Sequence, residues 1–510
     1  MAQQQYRANL LSADFPFLSE NHGRTVIVGQ IDQATHAAAN PADRDKTSNA
    51  GIPQLYYCHN VVPTQQGLQS VGFETLTTGL DAETSFVDVL PLRDSLDRKA
   101  YLGYTSDGRF YITTTPFSTW TLKLTHAPAA GKLVTRAYTQ GVTYIYIANV
   151  GCYKYDFDTN ALVSVTLTGL TAANILGVTS LSGYLVAWTS DAVAWSAIAD
   201  PTDFVPSLST GAGGGSVEGA AGALLVMAAA NIGILAYTTG NVLSANYTGN
   251  SQYPFIFRAL PSSGGLKNAH HADYDSLSGQ QYAYTTSGLQ LCDVQRAQMV
   301  LPAVTDFISG GEFEDINSTT GAITKETLST AMVKQLKMVA NRYLIISYGK
   351  TSLTHALLLD TQLKRFGKFK INHVSVVDLL LGEETEDVAK NSIGFVQADG
   401  SIKVVDYNSQ VDATDAVAIL GKYQFVRSRK LQLNEIEFEN IEADDTFTVR
   451  VMTSQDGKNT TLSAALTPID ASTLLRTYPC RITGLNHSLF LTGNFRLNSL
   501  LLNFTVHGRR

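Results

Sequence analysis

GYLVAWTSDAVAWSAIADPTDFVP, residues 183–206, is the stretch whose reading decides the fold class. Leu185, Ala187 and Thr189 alternate with Val186 and Trp188, the two-residue period of a strand with two distinct faces. Ser190-Asp191 supplies turn chemistry, Ala192 to Ser196 runs back, and Asp200-Pro201-Thr202-Asp203 punctuates the exit. The stretch is a β-hairpin.

Working outward, comparable hairpins recur. Upstream, KAYLGYTSDGRFYITTT (99–115) places Tyr104 and Phe110 around Asp107-Gly108, a dipeptide favoured in type I′ turns. VTYIYIANVGCYKYDFDTNALVSVTL (142–167) alternates Tyr144 and Tyr146, then Tyr153, Tyr155 and Phe157, with a turn at Asp158-Thr159-Asn160. Downstream come Leu224–Tyr247, then Ala269–Ala303 with Thr286-Ser287-Gly288, then NRYLIISYG with THALLLDT, then NSIGFVQ joined to SIKVVDY through Asp399-Gly400. Turn centres fall near residues 107, 141, 191, 232, 279, 350 and 399. That spacing scatters around the roughly 40–50 residues of a propeller blade. The expectation is an all-β chain: a β-propeller of about seven blades over 84–413, with a β-sandwich carrying long insertions as the competing architecture. Within 306–335, Leu328, Met332, Val333 and Leu336 have helical spacing, with Thr324 as its cap.

The ends differ. Residues 1–83 form an arm with leading strands, polar and small-residued in QIDQATHAAANPADRDKTSNAG, expected to be extended and tied down against a neighbouring element. Beyond 414, KLQLNEIEFENI, TFTVRVMTS, HSLFLTG and NSLLLNFTV are longer strands, and Leu500, Leu502, Phe504 and Val506 share a face. A separate C-terminal β-sandwich over 414–510 is expected.

With 44% hydrophobic and 16% charged residues in 510, the chain is folded rather than disordered, with a sparsely charged surface. A net charge of −7 and scattered Lys and Arg argue against tight nucleic-acid binding. The two densest basic groups, Arg427-Ser428-Arg429-Lys430 and Lys364-Arg365-Phe366-Gly367-Lys368-Phe369-Lys370, are read as solvated strand faces. Cys58, Cys152, Cys292 and Cys480 are too far apart for a zinc knuckle and are read as buried thiols. The start, MAQQQYRANLL, lacks the charged and apolar regions of a signal peptide. Gly219 to Tyr237 has no charge, but the turn signal Ala230-Asn231-Ile232-Gly233 splits it into two strands instead of one membrane span.

Catalytic patterns were sought and are weak. Glu435, Glu437 and Glu439 alternate with Ile436 and Phe438, which a wet strand face explains. His270-His271 with Asp273 would point to opposite sides of a strand. Gly211–Ser216 lacks the Gly-Lys-Ser/Thr of a phosphate loop and reads as a flexible crossing between blades. Ser454-Gln455-Asp456-Gly457 fails the spacing of a sialidase box, and Asn246-Tyr247-Thr248 and Asn459-Thr460-Thr461 are chance-level glycosylation triplets. No enzyme activity, catalytic residue, metal or cofactor is expected.

Three pieces together resemble the tail nozzle or hub (packaged-DNA stabilisation) proteins of short-tailed, podovirus-type bacteriophages. The first is NLLSADFPFLSENHGR (9–24) with Pro53 to Pro63 and Gly67 to Gly72. The second is Val193-Ala194-Trp195-Ser196 with Asp200 to Phe204, and the third runs from Gly421-Lys422-Tyr423 through Glu439. The resemblance implies a structural virion protein, assembled in the host cytoplasm, that forms a homo-oligomeric ring, a hexamer, on the portal and head-to-tail adaptor. The ring would extend their channel, retain packaged DNA, and conduct it during ejection without sequence-specific binding. It would also contact other tail components, a fibre or needle. The alternative is a receptor- or glycan-binding propeller component of the tail.

Overall fold

The computed structural model describes residues 3–9, 26–27 and 55–64, and the chain from 68 to 506 apart from short stretches, the largest of them 274–280, 380–391 and 407–414. Alternating patterns become antiparallel sheets stacked as seven blades. Blade 1 is Phe86–Arg93, Lys99–Thr105, Arg109–Thr114 and Thr121–Thr125. Blade 2 is Val134–Thr139, Val142–Ile147, Gly151–Asp156 and Ala161–Val165. The stretch quoted first lies in blade 3, made of Gly177–Leu181, Tyr184–Trp188, Ala192–Trp195 and Gly213–Ser216. Blade 4 is Leu224–Ala230, Gly233–Thr238, Val242–Tyr247 and Phe255–Ala259. Blade 5 has the described strands Gln281–Thr285, Gly288–Cys292 and Ala297–Met299. Blade 6 is Gln335–Val339, Tyr343–Tyr348, Leu353–Asp360 and Arg365–His373.

Blade 7 is composite. Ser375–Asp378, Ile393–Val396 and Ile402–Asp406 take their fourth strand from Gly72–Thr77, with Gly72 opposite Asp406 and Thr77 opposite Ile402. The first strand of blade 7 packs beside the first strand of blade 1, so the ring of blades is closed. Closure covers the blade faces that an open stack would leave in water, and the radial arrangement leaves only short strand edges.

The irregular turn spacing has a structural cause. The turns at 141 and 232 join the first and second strands of their blades, whereas those at 107, 191, 350 and 399 join the second and third. The turn expected at 279 lies outside the described residues. Gln140-Gly141 and Ser182-Gly183 both have positive φ and make the type I′ turns. Asp107-Gly108 does not: only Gly108 is left-handed (φ 88°), and the longer loop closes through Gly108 N–H to Thr105 O. Asp399-Gly400 repeats this arrangement, with Gly400 at φ 83°. Thr324 caps no helix, since it sits within strand Ile323–Thr327, paired with Glu312–Ile316 as a hairpin between blades 5 and 6. Of the residues with helical spacing, Met332 and Val333 lie outside the described residues, and Leu336 is in a strand.

The C-terminal region is a sandwich of two sheets. One orders Gln3–Asn9, Ser499–Val506, Leu431–Glu439, Leu475–Gly484 and Asp470–Ala471. The other orders Val26–Ile27, Val417–Gln424, Asn486–Asn494, Thr446–Ser454 and Thr460–Leu462, with Leu55–His59 also on Val417–Gln424. Ala418, Leu420, Val449, Val451, Leu489 and Leu491 meet Leu431, Leu433, Ile436, Phe438 and Leu502 between the sheets. Val417, Ile419, Met452 and Phe490 face the other way and are buried against Ile316 of the hairpin. That second covering explains why Val417–Leu420 reads as an unbroken apolar run.

Val61–Pro63 and Leu68–Ser70 extend the last strand of blade 6 and carry the sheet to Arg496–Leu497 of the C-terminal region. Between 55 and 77 the chain therefore serves the sandwich, blade 6 and blade 7 in turn. Among the described residues, no helix is long and apolar enough to cross a membrane, and Leu224–Ala230 and Gly233–Thr238 are paired strands.

Two substitutions test the packing. A Cβ on Gly400 would lie 2.6 Å from the Phe86 ring, at a φ that side chains rarely adopt. Gly400→Ala is expected to destabilise the protein by at least about 1–2 kcal/mol. Trp188→Ala, at a fully buried site, is expected to cost about 3–5 kcal/mol. Urea unfolding followed by fluorescence reads both.

Candidate functional site

Among the buried polar side chains, two groups join separate parts of the fold: one at the propeller axis, the other at the seam where blade 6, the 312–327 hairpin and the sandwich meet. At the axis, first-strand polar side chains stitch neighbouring blades together. Thr135 Oγ1 accepts from Val178 N (3.0 Å), and Gln281 Nε2 donates to Ala229 O (2.8 Å). Gln335 Oε1 accepts from Val376 N at 3.1 Å, and Asp378 Oδ2 from Ala340 N at 3.0 Å. Lys337 Nζ lies 3.8 Å from Asp88 Oδ2, reaching from blade 6 past blade 7 to blade 1. All these side chains apart from the half-buried Asp378 are buried. Burying them is tolerable because each finds a partner.

The seam is built from Tyr57 and His59 of strand Leu55–His59, Asp315 of the hairpin, and Tyr348, His355, Lys368 and Lys370 of blade 6. Cross-strand pairing sets His355 beside Tyr348 and opposite Lys370. The Tyr348 and His355 rings stack at 5.5 Å between centroids, and Phe313 meets both edge-on. Lys370 Nζ pairs with Asp315 Oδ1 at 2.7 Å. Lys368, only 4% exposed, lies over the Tyr57 ring at 4.4 Å. His59 Nδ1 shares a 2.9 Å hydrogen bond with Tyr57 Oη. His373 Nδ1 sits 2.8 Å from Ile371 O and so carries its proton there, leaving Nε2 to accept from Ser347 Oγ at 2.8 Å.

These histidines are held neutral. Burial, reinforced by the charges of Lys368 and Lys370, pushes His59 down to about 3 and His355 to about 2. Burial alone brings His373 and His487 to about 4. Burial likewise lifts the thiols of Cys58, Cys152, Cys292 and Cys480 to about 12, which makes them poor nucleophiles at neutral pH. All four are free, and Cys480 alone is only partly buried.

The candidates drawn from sequence are scattered. Glu435 and Glu437 both accept from Asn503 Nδ2, at 2.9 and 3.2 Å, on a sandwich strand that also carries Glu439. Their amide partner gives them a structural role. His270-His271 form not a strand but a 3₁₀ turn capped by Asn268, where His271 packs on Tyr284 and Asp273 Oδ2 accepts from Met338 N at 2.6 Å. Gly211–Ser216 is no free crossing: Gly213–Ser216 is the fourth strand of blade 3, and Gly211 O takes the Trp195 indole N–H at 3.0 Å. Ser454 Oγ bonds Asp456 at the end of a sandwich strand. Arg427, Ser428, Arg429, Gly457 and Asn459 lie outside the described residues, and Lys430 is exposed.

The other basic group departs from expectation. Lys370 is exposed as read, but Lys368 is buried because the leading strand Leu55–His59 covers that face. Sequence reasoning missed the seam because His59, Asp315 and His355 meet only through tertiary pairing. Among the described residues, no group of three or more His, Cys, Asp or Glu side chains could hold a metal ion.

The neutral histidines set the pH response. An unfolded chain takes up these protons near pH 6.5, whereas the folded seam resists them down to about 4, 3 and 2. The stabilisation is therefore complete above about pH 6.5 and is lost progressively as the pH falls from there towards about 2. Thermal melts are expected to drop by several degrees between pH 7 and pH 5. Lys368→Met, which removes a charge opposing histidine protonation, is expected to flatten this fall without abolishing it, since burial remains the larger cause.

No protein-family model matches the chain, and no curated protein matches it. Among solved structures it is similar to the WD40 β-propeller domain of Doa1, at 10% identity and a TM-score of 0.41, over 66% of this chain and 98% of that one. It is similar to YCF48 bound to D1 peptide at 10% identity and a TM-score of 0.39, over 66% and 95%. The extracellular domain of a putative one-component system from B. thetaiotaomicron gives 10% identity and a TM-score of 0.42, over 89% of this chain and 62% of that one.

Proposed function

We propose that this chain is a non-enzymatic virion protein, the tail hub of a short-tailed bacteriophage, working as a ring of six copies. The observation that carries the reading is a set of exposed apolar side chains on the tips of blades 1, 3 and 4, at one end of the propeller. In an antiparallel blade, the turn between strands one and two and the loop between strands three and four lie at the same end. Leu96 and Ile232 occupy such turns in blades 1 and 4; Ile198, Val205 and Leu208 occupy the loop of blade 3, and Tyr253 that of blade 4. Gln140 Nε2 bonds Ile198 O at 2.6 Å, joining this end across two blades. Leu208 and Leu96 are 77% and 73% exposed. Apolar tips gathered at one end of a molecule mark a contact with another protein.

In a ring, each copy contacts the next through two different surfaces, and the contact closes when the rotation is right. A unit whose leading strands lock propeller and sandwich together suits such a wedge. In such a ring the conduit lies between copies, below the portal and adaptor rings, with a fibre or needle beyond it. Six copies would carry about −42, six times −7. Low affinity for phosphate lets DNA pass without sequence-specific contacts.

Native mass spectrometry and negative-stain imaging of the full chain, alone and with the adaptor ring, are expected to show a hollow ring. Leu96→Asp with Leu208→Asp is expected to abolish it while leaving the melting temperature nearly unchanged, as exposed substitutions do. A wild-type protein that stays monomeric and ignores the adaptor sinks the proposal.

A further inference from the structure

The seam opens into a cavity of about 370 Å³ beside the 312–327 hairpin, within the roughly 300–1,000 Å³ typical of small-molecule sites. Phe313, Asp315 and Glu326 come from the hairpin, and Thr354, His355, Lys370 and Asn372 from the last two strands of blade 6 and their exit. Phe313 opposes Glu326 in the hairpin register, and Asp315 is two residues from Phe313, so all three project from one face.

We propose that this cavity binds a neutral, hydroxyl-rich ligand the size of one sugar ring, held by His355 and Asp315. The observation behind it is His355 Nε2, which has no hydrogen-bond partner although the side chain is only 4% exposed. Its other nitrogen is committed to Thr354 Oγ1 at 2.9 Å. A neutral imidazole has one N–H and one lone pair, so Nε2 is either an unmet donor or an unmet acceptor. A hydroxyl satisfies either tautomer; a carboxylate or an ammonium satisfies only one. Asp315 Oδ1 stands 4.0 Å from Nε2, too far for a direct bond, and near enough for one hydroxyl to bond both.

Charge narrows the ligand further. Asp315 and Glu326 oppose an anion, and Lys370, already paired with Asp315 at 2.7 Å, opposes a cation. Glu326, Asn372 and Thr354 add acceptors and donors at the rim, the mixed set that several hydroxyls of one ring require. The site is independent of the proposed ring, because every residue in it comes from one copy.

Saturation-transfer NMR on the full chain, with glucose, galactose, N-acetylglucosamine and glycerol as probes, tests the proposal. At least one pyranose is expected to receive saturation and to shift the His355 imidazole signals. Asp315→Asn is expected to weaken that binding by about tenfold or more. Asn372→Ala, at an exposed rim position, should weaken it less; melting curves verify that both variants fold. If no pyranose receives saturation or moves the His355 signals, the cavity holds water only and the proposal is wrong. Binding that survives Asp315→Asn at full strength overturns it too. Neither result bears on the ring, which is read by mass.

Discussion

The pairing of Gly72–Thr77 with Ile402–Asp406 is the contact on which the rest of the architecture hangs. An open stack of sheets has two ends, and each would leave the apolar face of a blade in water. Supplying the outer strand of the last blade from the leading segment turns that stack into a ring. The same segment has just passed along blade 6 and before that along the sandwich. Closure and attachment are thus one structural event. Trp120 of blade 1 reinforces it by donating its indole N–H to Gly400 O of blade 7 at 2.7 Å, and Phe86 stacks on Tyr111 beside it.

The hairpins were legible because each is local: alternation within six residues, then a turn of small or polar residues. Turns at Asp107-Gly108 and Asp399-Gly400 follow from side chains alone, although only the glycine of each pair is left-handed, whereas the type I′ turn at Ser182-Gly183 was not read. What escaped were contacts set at long range. Gly213–Ser216 has no side-chain signal for a strand; it is one because the Trp195 ring lies against Gly213, where a Cβ would sit 3.0 Å from it. Of the helically spaced residues, Leu336 lies in Gln335–Val339, the first strand of blade 6, where pairing with the next strand of the blade sets its conformation. The buried state of Lys368 could not be read from blade 6, since the cover comes from Tyr57, more than three hundred residues away.

The two polar regions answer different demands. At the axis, hydrogen bonds between first strands fix how far each blade is rotated from the next, a job that apolar packing does less sharply. At the seam, ionisable groups are placed where the sandwich and the propeller must match. Lys368 sits over the Tyr57 ring, and its charge helps keep the nearby imidazoles of His59 and His355 neutral. This arrangement gives the joint a chemical character that the apolar sandwich core lacks.

The first described strand, Gln3–Asn9, pairs with the last, Ser499–Val506, so that Gln3 lies opposite Thr505. During synthesis, the leading residues leave the ribosome long before their partners exist. At roughly 5–20 residues per second, an edge strand made at the start waits on the order of half a minute to two minutes for its mate. The segment from 55 to 77 waits nearly as long, until residues near 406 emerge to be closed upon. Blades 1 to 4, each built from consecutive hairpins, can fold as they appear, while both ends of the chain stay unpaired. The nascent chain therefore spends most of its translation as a partial propeller whose leading strands still lack their partners.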